Sequence, residues 1–118
     1  MYNKRSVGAQ KEEMAAAYLR ERGYVILEQN FRCRTGEIDI IAREKGYLAF
    51  VEVKYRKDSA KGYPEEAVDF HKMQKITRTA QFYMLIKHIP EDTSCRFDVI
   101  TILDQDITLI QNAFEAVF

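Results

Sequence analysis

GEIDIIAREKGYLAFVEVKYR, residues 36–56, reads as two short apolar strands joined by a tight turn at Glu44-Lys45-Gly46. Gly46 supplies a positive φ where the turn requires one. Four ionisable residues stand inside these strands: Glu37, Asp39, Glu52 and Lys54. Charged side chains are depleted from strand interiors, and an unpaired buried charge is expensive. Their presence on otherwise apolar strands therefore needs a reason.

Strand side chains alternate between faces with a period of two. Glu37 and Asp39 are thus expected on one face of their strand, with Ile38, Ile40 and Ala42 on the other. Glu52 and Lys54 share one face of the next strand, with Val51, Val53 and Tyr55 opposite. If the two strands pair as a hairpin, Asp39 and Glu52 face one another. Alternation of this kind also describes a hairpin with one solvated face. The apolar flanks Ile40-Ile41 and Phe50-Val51 favour a site over a plain surface hairpin.

A pocket of carboxylates with an ammonium at its lip suits a divalent cation. Magnesium takes hard oxygen ligands in near-octahedral geometry and keeps several waters. Asp39 and Glu52 are the expected ligands of Mg2+ (or Mn2+). Such an ion activates water and polarises a phosphoryl oxygen. Lys54, a cation, belongs with the phosphate or the attacking water. No serine, cysteine or histidine constellation offers a rival hydrolytic centre. Nor is there a Gly-rich phosphate cradle.

Working outward, residues 8–22 read as a helix with Met14, Ala15, Tyr18 and Leu19 on one stripe and Gly23 as its stop. Glu12 lies on the same broad side as Ala15, Ala16 and Leu19. Residues 24–33 read as the first strand. The polar stretch 57–64 reads as a loop, and Pro64 with Glu65-Glu66 opens a long helix to about residue 88. Phe70, Met73, Ile76, Ala80 and Tyr83 form its expected core stripe. Residues 95–103 and 107–110 complete five strands, and the tail is expected to pack Phe114 on the core. Asp98 falls inside a strand, where Arg96 or a helix lysine is its natural partner. The order α-β-β-β-α-β-β gives an α/β (α+β) domain, a five-stranded mixed sheet flanked by helices.

Asp39, followed on the next strand by Glu52-Val53-Lys54, resembles the D…E-x-K signature of the PD-(D/E)XK nuclease superfamily. GEIDIIA, FVEVKYR, the GYPEEAV segment and the late RFDVI resemble the uncharacterised UPF0102 (YraN-like) family of small bacterial proteins. Those proteins are similar to archaeal Holliday junction resolvases. The resemblance spans about Gly8 to Phe114. It implies a restriction-endonuclease-like core and a metal-dependent nuclease acting on DNA, including branched or recombination and repair intermediates. It also implies that Glu12, on the first helix, approaches the metal, and that Glu12 and Glu37 assist Asp39, Glu52 and Lys54 in catalysis. Resolvases similar to this fold work as dimers, so a homodimer is an expectation. The competing reading is a nucleic-acid-binding module that does not cleave and acts with recombination or repair partners.

Composition bounds these readings. At 118 residues the chain is expected to form a single domain, 1–118. Hydrophobic residues make up 47% and charged residues 31%, with a net charge of zero. That balance argues against non-specific coating of nucleic acid. Yet residues 71–88 hold four cations and no acid, whereas residues 91–118 hold six acids and one arginine. Phosphate contacts are therefore expected from Arg32, Arg34, Arg56, Lys57, Lys61, Lys72 and Lys75. Cys33 and Cys95 have no metal-binding spacing and read as small buried or half-buried side chains. No apolar run approaches the ~20 residues of a membrane span. The first residues lack a secretory h-region, so a cytoplasmic location is expected.

Overall fold

The computed structural model describes residues 4–57 and 69–118. Helix α1 (Lys4–Glu21) leads into strands β1 (Val25–Cys33), β2 (Gly36–Glu44) and β3 (Tyr47–Arg56). Helix α2 (Phe70–Ile86) precedes β4 (Cys95–Leu103) and β5 (Asp106–Phe114). The five strands form one sheet in sequence order. Neighbours are antiparallel except β3 and β4, which run parallel with Glu52 beside Val99. A parallel pair needs a crossover connection, and α2 lies in that connection. The fold is α+β, with the element order expected from the sequence.

Local sequence explains the corners. Lys45 and Gly46 both take positive φ, 49° and 83°, between the closing pair Glu44 and Tyr47. Two left-handed residues make the hairpin turn whose twist matches the strands it joins. Gly23, at φ 90°, ends α1, where the Gly23 and Tyr24 N–H groups close on the Arg20 and Leu19 carbonyls. Asp69 caps α2 by accepting from the Lys72 N–H at 2.8 Å. The helix thus opens at Phe70, while the start expected near residue 65 lies outside the described residues.

Each helix covers one face of the sheet. Ala15, Ala16 and Leu19 of α1 pack with Ile40, Ala42, Ala49, Val51, Ile100 and Ile102. Ile76, Ala80 and Tyr83 of α2 pack with Phe31, Ile41, Leu48, Phe50 and Phe97. Ile40 against Ile41, and Ala49 against Phe50, show the period of two at work. Burying a side chain such as Phe50 or Ile41 contributes roughly 1.5–3 kcal/mol. Tyr83 meets the edges of Phe31 and Phe50, and Phe114 stacks on Phe97 at 4.9 Å.

Three expectations are corrected. Phe70 is 67% exposed rather than core, because the residues that α2 buries begin only at Ile76. Strand β5 runs to Phe114, beyond residue 110, its polar Gln111-Asn112 lying on an edge strand that is partly solvated. Ile38 does not share a side with Ile40 and Ala42: it packs in the α2-side core while they pack in the α1-side core. The alternation of β2 therefore breaks at Asp39. Among the described residues no helix is long and apolar enough to cross a membrane.

One end of the sheet is tied by a buried polar network. Arg96 grips Asp98 with two parallel hydrogen bonds, Nε to Oδ1 at 2.8 Å and Nη2 to Oδ2 at 3.0 Å. Asp98 also accepts from the Tyr24 hydroxyl and the Asn112 N–H. Arg96 reaches Glu44 at 3.0 Å and lies over the Tyr47 ring. Burial pulls the guanidinium pKa down, but the hydrogen bonds to Asp98 and Glu44 outweigh it and hold the pKa above its ordinary value. Removing one partner of a buried pair strands the other charge. We expect Asp98→Ala to destabilise the fold by roughly 3–5 kcal/mol in urea unfolding, and Tyr24→Phe by about 1–2 kcal/mol. An Asp98→Ala cost below about 1 kcal/mol would show that the network is not a structural tie.

Candidate metal and phosphate site

The site is built where β2 and β3 part. Their ladder runs from Glu44 beside Tyr47 to Ile40 beside Val51. The next pair in register would be Asp39 and Glu52. There the Asp39 side chain replaces a main-chain acceptor: its Oδ2 takes the Val53 N–H at 2.8 Å. A carboxylate that accepts a main-chain N–H satisfies a donor the parting strands would leave open. Asp39 thus lies beside β3 next to Glu52, and the charge of Asp39 acts on Glu52.

Asp39 is also the meeting point of a second group. Carboxylate oxygens of Glu12, Glu37 and Asp39 all lie within 4.8 Å of one another. Helix α1 delivers Glu12 to this point, and its neighbour Lys11 anchors that turn. Lys11 is buried, donates to the Asp104 carbonyl at 3.0 Å and lies 4.7 Å from the Tyr55 ring centre. Glu52, only 7% exposed at its side chain, meets two lysines at one oxygen. Lys54 Nζ is 3.5 Å and Lys72 Nζ 3.6 Å from its Oε1. Lys54 is the more enclosed, 17% exposed against 38% for Lys72.

Burial dominates the electrostatics of the site. Burial, then the Asp39 charge, push Glu52 up to about 7 against the pull of Lys72 and Lys54. Burial likewise raises Asp39, despite its bond from Val53. Glu12 is raised by burial and by Asp39. Glu12, Asp39 and Glu52 are thus each pushed toward the neutral form, chiefly by burial.

The residues read from the sequence as phosphate contacts are placed variously. Arg32 pairs with Glu37 at 3.2 Å while 73% exposed, an ion pair of small energetic weight. Arg34 is exposed in the β1–β2 turn, and Lys57 and Lys75 are exposed. Arg56 is half-buried, its guanidinium donating to the Tyr55 carbonyl. Lys61 lies outside the described residues. Lys72 stands at Glu52, a place its sequence position did not reveal. The legible hint was Asp69, whose cap fixes the helix start and so brings Lys72 into the first turn.

The site combines hard oxygen donors, a poised ammonium and a nearby basic helix on an α+β sheet. Hard-oxygen metal binding and phosphate chemistry are what such a set can support. The chain matches the model of the family described as "Uncharacterised protein family UPF0102" over residues 11–102, a span that takes in all of these carboxylates and both lysines. A UPF0102 protein of Lachnoclostridium phytofermentans is 57% identical over 114 residues, 97% of each chain. UPF0102 proteins of Clostridium botulinum and Persephonella marina are 44% and 48% identical, covering 97% and 92% of this chain. The chain belongs to the UPF0102 family.

The raised Glu52 pKa has a consequence for stability. A carboxyl with a pKa near 7 folded and near 4.5 unfolded binds more protons in the folded state between those values. Its contribution to stability is therefore lost as pH rises through that window. In metal-free buffer, Glu52→Gln should be the more stable protein at pH 8, by a few degrees in melting temperature, with the advantage gone near pH 4.5. Melting curves across pH in a chelator check this. A Gln variant less stable at pH 8 would mean that the lysines already neutralise Glu52.

Proposed function

We propose that this protein is a metal-dependent nuclease of the restriction-endonuclease-like type that hydrolyses phosphodiester bonds in DNA, branched or repair intermediates included. The single observation that carries the reading is Asp39, whose carboxylate adjoins Glu52 on one side and Glu12 and Glu37 on the other. The donor set fits a hard divalent cation: it is all oxygen, closely spaced, and too negative for the lysines beside it. Asp39 and Glu52 would hold magnesium or manganese, with Glu12 and Glu37 completing the acidic wall. When bound, such an ion supplies a more acidic water and polarises a phosphoryl oxygen.

The remaining roles fall to the chain's own groups. Lys54, already held at Glu52, is suited to meet developing charge on the phosphate or to orient the attacking water. Lys72 adds a second ammonium from α2. Arg32, Arg34, Arg56, Lys57, Lys61 and Lys75 would contact the DNA backbone and hold register without reading bases. Binding through so few phosphates is weak and falls steeply with salt. A net charge of zero suits a protein that needs a second copy or a partner to hold its substrate.

A second reading has its own observation. Two lysines already meet Glu52 at one oxygen, which is how a self-paired structural cluster would look. Under it the protein is a nucleic-acid-binding module without cleavage. Calorimetric titration with magnesium or manganese separates the two, alongside cleavage assays on branched, linear and single-stranded DNA. Asp39→Ala should lose metal affinity at least tenfold, because an anionic ligand is gone. Lys54→Ala should keep or slightly improve it, because a nearby positive charge is gone. Both should lower cleavage, by about 100-fold or more. Equal loss of metal in the two variants would make Lys54 a structural partner of the carboxylates, and no metal binding by the unaltered protein would favour the binding module.

A further inference from the structure

Asn30 stands in the middle of β1 with φ at 55°. Left-handed backbone is uncommon for residues other than glycine, and asparagine is among the side chains that tolerate it best. Among the described residues, Lys45, His88 and Asp104 also take positive φ, and all three lie in turns. Among the described residues other than glycine, Asn30 and Asn112 alone do so within strands. Both sit at a break in pairing beside an aspartate. Asn112 gives its N–H to Asp98 where the β4–β5 register shifts. Asn30 falls between the pairs Gln29 with Ile40 and Phe31 with Ile38, at the one position where Asp39 would be its partner.

The break has a visible result. Ile40 packs on the α1 side of the sheet and Ile38 on the α2 side. Strand β2 changes sides across Asp39, and a regular β1 would hold it in alternation. With the ladder interrupted, Asp39 is free to adjoin Glu12 on α1 and Glu52 on β3. The Asn30 side chain adjoins Glu12, the one carboxylate of the cluster that comes from a helix, and favours its charged form. An amide donor fixes a carboxylate's rotamer without neutralising it.

We infer that Asn30 is a positioning residue of the carboxylate site. Its left-handed backbone opens the β1–β2 ladder opposite Asp39, and its amide holds Glu12 against Asp39. The inference deepens the metal-site reading above and rests on it for its functional meaning. It touches no substrate; it acts through Glu12 and Asp39. Outer partners of metal ligands commonly influence affinity by 10–100-fold.

Asn30→Gly separates the two parts, since glycine keeps the left-handed backbone and removes the amide. Asn30→Val removes both, because a β-branched residue resists that conformation. Three measurements apply to each: melting in a chelator, manganese affinity by calorimetry, and a metal-free crystal structure. We expect Asn30→Gly to melt within a few degrees of the unaltered protein, to bind manganese about tenfold more weakly, and to show Glu12 swung away from Asp39. Asn30→Val should lose more affinity and restore pairing at Asp39; should it fail to fold, the glycine variant carries the test. An Asn30→Gly protein with Glu12 still in the cluster and unchanged affinity overturns the inference. If the unaltered protein binds no manganese while Glu12 still swings out in the glycine variant, the positioning role stands and the metal reading fails.

Discussion

The hydrogen bond from the Val53 N–H to the Asp39 carboxylate is the constraint around which this molecule is arranged. Two antiparallel strands that part inside a sheet leave main-chain groups without partners, and such groups cannot be buried at little cost. Asp39 supplies the missing acceptor from a side chain. In doing so it fixes a partly buried carboxylate at the fork, directly beside Glu52. The fold and the proposed site are thereby linked: the charge that closes the sheet is the charge on which the proposed site rests.

On β4, in register with Val51, the same problem is solved differently. Asp98 also accepts a main-chain N–H, from Asn112, at a register shift. Its charge is met by the two-pronged grip of Arg96, with Tyr24 completing the shell. Nothing about that carboxylate is left for chemistry. At Asp39 the neighbours are three further carboxylates, and the ion pairs of Lys54 and Lys72 are both made with Glu52. Burial with such partners raises Glu52 and Asp39 rather than lowering them. The contrast between a neutralised aspartate and a crowded one, in one small sheet, is what supports reading the second as the proposed site.

Much of this was legible in the residues. Period-two alternation located β2 and β3, and the spacing from Asp39 to Glu52-Val53-Lys54 located their carboxylates and ammonium. Arg96 was one of the two partners that the strand position of Asp98 suggested, the other being a helix lysine. What could not be read were departures from regularity. Ile38 obeys alternation in the sequence and breaks it in space, because the flip depends on a left-handed Asn30 one strand away. Phe70 fits the helical stripe, but whether a stripe position is covered depends on where α2 reaches the sheet. Lys72 looked like any exposed helix lysine until the Asp69 cap fixed the turn it occupies. In each case a long-range neighbour overrode a local pattern, as tertiary context does for strand and helix preferences.

The central claim is that the Asp39 fork is a divalent-metal centre. Crystals soaked in manganese, with diffraction collected above the manganese absorption edge, test it most directly. The account predicts an anomalous peak within coordination distance of the Asp39 and Glu52 carboxylates, with Lys54 displaced from the Glu52 oxygen it meets in the ion's absence. Peaks elsewhere on the molecule but none at the fork, with both lysines still on Glu52, would contradict it and leave the cluster a structural feature of the sheet.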